Sequence, residues 1–248
     1  MNILVCISQV PDTTSKINFT DDLSQFDSSG IQFVINPYDE FSLTRAMWFK
    51  EKQGASISVV SVGNVSVEPT LRKALAIGAD NAIRVNAEAI DGFSVAKELA
   101  AVAKNGNYDL IMTGKGSIDY NGGMVPGMLA TFLDYNFVNA CIGLEIEDGN
   151  ATVSREIDGG KEVLTTQLPL VIAGQKGIVE EKELRIPNMR GIMMARKKPF
   201  AIVESIAHEL TTSSASFERL PAKSACKLVD ADRVEDLIDL LHTEAKVI

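Results

Sequence analysis

An apolar run, Leu110 to Thr113, leads without a break into Gly114-Lys-Gly-Ser-Ile-Asp-Tyr-Asn-Gly-Gly123 and then into a helix-compatible stretch, Met124 to Leu133. No other segment narrows the choice of fold as much. A buried strand that opens through a glycine-rich turn into a helix start aims unpaired backbone N–H groups at one point, where an anion can sit. Four glycines (Gly114, Gly116, Gly122, Gly123) permit close backbone approach to a ligand and positive φ. The same spacing also suits an ordinary solvated loop. Two nucleotide loops are excluded. No Gly-Lys-Ser/Thr closes the segment, and Asp119 stands where a G-x-G-x-x-G fingerprint needs its third glycine.

Strand-like and helix-like runs alternate on either side of this loop. Ile3 to Ile7 is β-rich with little alternation, as suits a central parallel strand. Ile31 to Ile35 is a second short strand. Asn36-Pro37-Tyr38-Asp39-Glu40 is a helix start: Asn36 can cap, Pro37 suits the first helical position, and acids fill the first turn. Gly54 ends that helix. Ile57 to Val62 is a buried strand, Thr70 to Ile77 a helix with Gly78 as left-handed cap, Ala82 to Val85 a strand, and Phe93 to Ala103 a helix. The alternation predicts an α/β fold built on a parallel sheet. Ligands of such sheets bind beyond the carboxyl ends of the strands. Cys6 to Thr13, Val62 to Asn64 and Gly114 to Met124 all follow strands, so they can converge on one crevice with Asn36 to Asp39 beside it.

After about Phe137 the pattern changes. Gly143 to Glu147 and Ala151 to Ile157 flank Asp148-Gly149, a hairpin signal, and Asp158-Gly159-Gly160 turns into Lys161 to Thr166. These predict antiparallel strands appended to the sheet, before Leu170 to Ala173 returns as a buried strand. Further on, Met189, Ile192, Met193 and Met194 stand beside the cations Arg190, Arg196, Lys197 and Lys198. Methionines suit adaptable contact surfaces. Spacing alone favours a helix with its methionine side in the core and its basic side solvated. Ser205 to Lys227 reads as an extended arm, and Asp230 to Ala245 as an amphipathic helix with Val234, Leu237, Ile238 and Leu241 on one face. The division expected is an α/β nucleotide-binding domain over 1–200 and a C-terminal arm with its helix over 201–248.

The net charge of −9 argues against nucleic acid as a partner, since phosphates need a basic face. Cys6, Cys141 and Cys226 are far apart and form no C-x-x-C, so neither a disulfide framework nor a metal or iron–sulfur site is expected. No apolar run reaches membrane-spanning length, and Met1 to Ser8 lacks a basic leader, so a cytoplasmic location is expected. The catalytic inventory is poor. His208 and His242 both lie late in the chain, Ser117 lacks a G-x-S-x-G setting, and Asp119 reads best as a loop-fixing ion pair with Lys115. Binding rather than turnover is the expectation.

Six segments, in order, resemble the β subunit of electron-transfer flavoprotein: Asn36 to Glu40, Ala74 to Asp80, Gly114 to Asp119, Arg155-Glu-Ile-Asp-Gly-Gly160, Leu168-Pro169, and Gly191-Ile-Met-Met-Ala-Arg-Lys-Lys198. The resemblance spans nearly the whole chain and is weakest over the C-terminal 40 or so residues. It implies a Rossmann-like domain, of the adenine nucleotide alpha hydrolase-like kind, that binds AMP as a structural nucleotide. It also implies a heterodimer with an alpha subunit holding FAD, with the arm and its helix packing on that subunit. The pair would take electrons from acyl-CoA and other flavin dehydrogenases and pass them to a membrane quinone oxidoreductase. By position, the implied AMP contacts are Cys6, Asn36, Pro37, Tyr38, Asp39, Val62, Gly114, Lys115, Gly116, Ser117, Ile118, Asp119, Gly122, Gly123, Met124 and Val125. Tyr38 and Thr13 match positions that approach the flavin. Met189, with Ile192, Met193, Arg196 and Lys197, matches a partner-recognition loop whose apolar anchor is a leucine in relatives. Glu156 matches an acid that pairs with an arginine of the mobile alpha-subunit domain.

The sequence also departs from that pattern. Tyr120 to Met124 stands where relatives carry a further acid or small polar residue and a glutamine, so backbone donors replace side-chain ones. Electron-bifurcating relatives place a second FAD in the same crevice, and that alternative stays open. Two other classes compete. An ATP-using enzyme of the related fold needs a Ser-Gly-Gly-x-Asp-Ser loop after the first strand, where Ser8-Gln-Val-Pro-Asp12 stands instead. A nucleotide-sensing regulatory domain leaves the methionine–basic segment and the long arm without a purpose.

Overall fold

The computed structural model of the chain describes residues 1–206, 211–223 and 225–248. In chain order its strands are β1 (Asn2–Cys6), β2 (Gln9–Pro11), β3 (Asn18–Phe19), β4 (Phe26–Asp27), β5 (Phe33–Ile35), β6 (Ser56–Val62), β7 (Asn81–Asn86), β8 (Leu110–Gly114), β9 (Asn136–Glu147), β10 (Asn150–Ile157), β11 (Gly160–Gln167), β12 (Leu170–Gly174) and β13 (Phe200–Glu204). The helices are α1 (Pro37–Gln53), α2 (Glu68–Ile77), α3 (Gly92–Gly106), α4 (Val125–Leu133), α5 (Met189–Ala195) and α6 (Val234–Leu240).

Nine strands form one sheet in the order β11-β10-β9-β12-β8-β1-β6-β7-β13. The seven from β9 to β13 pair parallel, while β10 and β11 are antiparallel additions. This is the α/β fold with appended antiparallel strands that the sequence predicts. Asp148 (φ 47) and Gly149 (φ 78) make the β9–β10 turn, both with the positive φ that a two-residue hairpin of this hand needs. The short strand near Ile31 to Ile35 is there as β5, but it pairs with β2 in a separate ribbon. β13 joins the main sheet, so the sheet runs past the expected boundary at residue 200 and the arm starts after Glu204.

The central strands are buried on both faces, which is why they read as unbroken apolar runs. Ile3 and Val5 of β1 point into a core filled by α1 and α2; Leu4 and Cys6 point into a second core filled by α3 and α4. The crossovers from β1 through α1 to β6, and from β6 through α2 to β7, run one way along the sheet. The next, through α3, returns across β1 to β8. The strand order thus reverses between β1 and β8, and a crevice opens beyond their carboxyl ends.

α1 starts on Pro37, and Gly54 ends it in the left-handed conformation, donating its N–H to Lys50 O and Phe49 O. Gly78 ends α2 at φ 150° rather than in the left-handed cap expected. The C-terminal helix is shorter than its apolar pattern: α6 gives way to one wider turn over Leu241–Ala245. Val234, Leu237 and Ile238 on it are exposed. No described helix is long and apolar enough to cross a membrane.

Candidate functional site

The floor of the crevice is tied by one side chain. Asp39, on the first turn of α1, is buried, and its carboxylate accepts the N–H of Ser8 (2.7 Å) and the N–H of Gly114 (2.7 Å). The β1–β8 ladder ends at Val5 and Met112, so these two N–H groups lie just beyond its last rung. Burial pushes the Asp39 carboxyl up to about 7, against the pull of the two N–H groups. Beside it, Asn36 Nδ2 donates to Gly116 O (2.9 Å) and Asn36 Oδ1 accepts from Ile118 N (3.3 Å). Asn36 therefore pins the glycine-rich loop and does not cap α1 with its side chain, as its position suggested. Only its carbonyl serves the helix, accepting from Asp39 N (2.9 Å) and Glu40 N (3.1 Å).

The loop folds back on itself. Ser117 N donates to Gly122 O at 2.9 Å, and Lys115 N donates to Gly174 O at 2.9 Å. A Cβ on Gly116 would stand 2.6 Å from Gly122 O, and one on Gly114 would run into Asp39 and Tyr38. None of Gly114, Gly116, Gly122 and Gly123 has positive φ; Asn121 (φ 51°) does. These glycines give the backbone room against the chain itself, rather than the left-handed turns expected. Lys115 makes no pair with Asp119 among the described residues. Its ammonium lies over the Tyr38 ring, 5.2 Å from the centroid, and Asp119 accepts the N–H of Tyr120. Residues 119–124 are exposed, and α4 begins at Val125 with Pro126 in its first turn. The N–H groups of Val125 and Gly127 precede the helix's own bonding pattern. On the other side of β1, pairing with β6 ends at Cys6 and Val60, while β6 pairs on with β7 to Val62 and Val85. The strands splay there, beside Cys6 and Val62. Burial raises the Cys6 thiol far above its usual range, so it is inert.

The methionine-rich segment forms α5 on the opposite end of α2. Asn188 caps it through Gly191 N (2.7 Å). Arg72 Nη1 donates to Ala195 O (2.9 Å), and Lys198 Nζ donates to Leu75 O (2.8 Å) and Ala79 O (2.6 Å) at the carboxyl end of α2. Gly191 sits against Ala76 O so closely that no Cβ fits. Only Ala195 of α5 is buried. Met189 is 75% exposed, Met193 68%, Met194 51% and Ile192 43%. The expectation of a methionine side in the core is overturned: glycine and alanine face α2, and the large apolar side chains face out, with exposed Arg196 and Lys197 next to them.

A family model described as electron transfer flavoprotein domain matches residues 24–207. The chain is 35% identical to the electron transfer flavoprotein subunit beta of Bacillus subtilis (strain 168), each covered in full. It is 39% identical to that of Syntrophomonas wolfei, over 91% of this chain and 88% of the relative. The human subunit beta is 32% identical over all of this chain and 99% of its own. The chain belongs to the electron transfer flavoprotein β-subunit family.

In this family member the residues expected at the crevice fall into two groups. Asn36, Asp39, Gly114, Gly116, Ser117, Ile118 and Gly122 are joined by the contacts above; Pro37, Tyr38, Lys115, Asp119, Gly123, Met124 and Val125 adjoin them in the chain, with Cys6 and Val62 at the strand ends. Thr13 is exposed in the turn after β2. Glu156, on β10, is exposed and accepts from Gln175 Nε2. His242 is exposed, and His208 lies outside the described residues. Three contributors were not singled out from the sequence, although the first lies inside the Cys6 to Thr13 segment expected at the crevice. Ser8 supplies an N–H to Asp39. Gly174 supplies the carbonyl that holds Lys115. Asp91 caps α3 through Ser94 N (2.7 Å) and also accepts from Thr211 Oγ1 and Thr212 N, fastening the arm beside the crevice loop, where Gly92 abuts Met124 and Val125. The Asp91-x-x-Ser94 capping spacing was a signal available for the last of these.

Proposed function

We propose that this chain is the β subunit of a two-chain electron carrier. It holds AMP as a structural nucleotide, supports the FAD of an alpha subunit, and docks flavin dehydrogenases such as acyl-CoA dehydrogenases on the way to a membrane quinone oxidoreductase. The observation that carries this reading is the coincidence of a full-length family match with a crevice at the strand-order reversal, edged by backbone donors. The donor set suits a phosphate. Residues 119–124 of the loop are exposed, the N–H groups of Val125 and Gly127 are not used by α4 itself, and both oxygens of the nearby Asp39 are engaged by the N–H groups of Ser8 and Gly114. In this reading the Gly114 to Val125 loop holds the phosphate and the backbone at Cys6 and Val62 reads the adenine edge. Tyr38 and Thr13 lie toward the flavin, and Glu156 faces an arginine of the alpha subunit. FAD supplies the one- and two-electron chemistry of such a carrier; this chain supplies position. Met189 supplies an apolar anchor worth roughly 1.5–3 kcal/mol, enough to dock and too little to hold permanently.

The deciding experiment is to purify the chain with its alpha partner, denature the complex and quantify the nucleotides released. One FAD and one AMP per heterodimer is the expected result. Two FAD without AMP would replace AMP by a second flavin in the crevice. Absence of both a complex and a flavin would overturn the carrier reading.

A further inference from the structure

The chain has eight methionines, and their placement is uneven. Met47 and Met112 are buried in the core, and Met1 and Met128 are partly covered. The four exposed ones all lie on the two candidate sites: Met124 on the crevice loop, and Met189, Met193 and Met194 together on α5. The mounting of α5 is independent of them. It is held by the Asn188 cap, the Gly191 seat on Ala76, the Arg72 bond to Ala195 and the Lys198 bonds to α2, none of which uses a methionine sulfur. The sulfurs can therefore change chemistry while the helix stays in place.

We propose that α5 is a reversible methionine-oxidation site, where hydrogen peroxide converts Met189, Met193 and Met194 to sulfoxides and so weakens docking without unfolding the chain. This rests on the reading of α5 as the docking surface. In each event a thioether lone pair attacks one peroxide oxygen. The S–O bond forms as the O–O bond breaks, a proton moves to the departing oxygen, and water leaves; sulfur loses two electrons and peroxide gains them. Methionine sulfoxide reductases reverse the step with thiols, which become a disulfide as the oxygen leaves as water. The product carries a polar S=O group. An apolar pocket on a partner offers it no hydrogen-bond donor, so burying it is unfavourable. The buried Met47 and Met112 are shielded from the oxidant, so the order of oxidation follows exposure.

The test treats the purified heterodimer with graded hydrogen peroxide and follows each methionine by peptide mass spectrometry. Reduction of the flavin by an acyl-CoA dehydrogenase and its substrate is measured in parallel, with the melting temperature. The expected result is sulfoxide at Met189, Met193 and Met194 well before Met47 and Met112. Reduction should slow about tenfold at limiting carrier, with unchanged melting and recovery after the A- and B-type reductases together. A chain with all three α5 methionines changed to leucine should keep its own starting rate through the same treatment. Oxidation of Met47 and Met112 as early as α5, or a fall in melting temperature that accounts for the slower rate, would overturn the proposal. Sulfoxide on α5 with no change in rate, while Met189→Ala does slow reduction, would overturn the switch and leave docking intact. No response to either peroxide or Met189→Ala would remove the docking reading and the switch with it.

Discussion

Asp39 shows what one residue can hold together. Its carboxyl lies at about 7 in the fold, against an ordinary 3.8. Between those values the folded chain keeps a proton that the unfolded chain has lost. The stability this contributes is fully present below pH about 4 and disappears as pH rises through about 7, with a span of roughly 4 kcal/mol. Denaturant unfolding from pH 4 to 8 should therefore show a downward slope with pH that Asp39→Asn lacks. At pH 4 the variant should be less stable than the native chain by about 1–3 kcal/mol, because its amide turns an NH2 toward one of two N–H groups, and the order should reverse by pH 8 as the native chain loses its roughly 4 kcal/mol; matching slopes would remove the assignment. Gly116→Val tests the loop. Its Cβ meets the Gly122 carbonyl at 2.6 Å, so the Ser117–Gly122 bridge must open, and nucleotide recovered from the complex should drop severalfold with little loss of stability. Both residues were visible in the sequence, but not in these roles. Asp39 reads as a helix-start acid, since its partners lie 31 and 75 residues away and leave no local mark. The glycines read as conformational freedom, where the fold uses their lack of a side chain.

At the level of elements, the strand–helix alternation was legible because each central strand is covered on both faces and reads as an unbroken apolar run, while α1, buried all round from Phe41 to Met47, is marked by its start and stop residues instead. Spacing alone failed for α5. Apolar side chains three and four residues apart, as at Met189, Ile192 and Met193, show that a helix has an apolar side; they do not say whether the chain covers it. The decisive residues there are small, Gly191 and Ala195, and they pack α5 on α2 with its large side chains outward. Gly191→Ala places a methyl on the Ala76 carbonyl and should lift α5 from its seat. The expected outcome is faster amide exchange over residues 189–198, slower reduction by a dehydrogenase, and unchanged exchange in β1 and β8. Protection lost across the whole sheet would instead make α5 part of the core. The arm is held at a few points: Phe217 stacks on Phe19 at 4.9 Å between centroids, and Phe217 N donates to Leu23 O. That leaves the apolar side chains of α6 exposed, as an element completed by another chain would be.

Across the whole molecule the two surfaces sit at opposite ends of α2. Its first turn follows the Val65–Val67 bend beyond β6, near the crevice, and its last turn carries α5. The ten residues of α2 make a rod about 15 Å long, and substitutions more than about 7–10 Å apart with no shared partner usually do not couple. The double variant Met189→Ala with Gly116→Val should thus lose docking and nucleotide by the amounts each single variant loses; a departure of more than about 0.5 kcal/mol would show that the sheet transmits strain between them. The tie at the crevice floor has a consequence of another kind. Ser8 and Gly114 are joined through a carboxylate lent by a helix, in the place where a ladder rung would be. The gauge of the crevice is therefore set by one exchangeable part. A change in the opening turn of α1 bears on the spacing of the β1 and β8 ends with no strand re-registered.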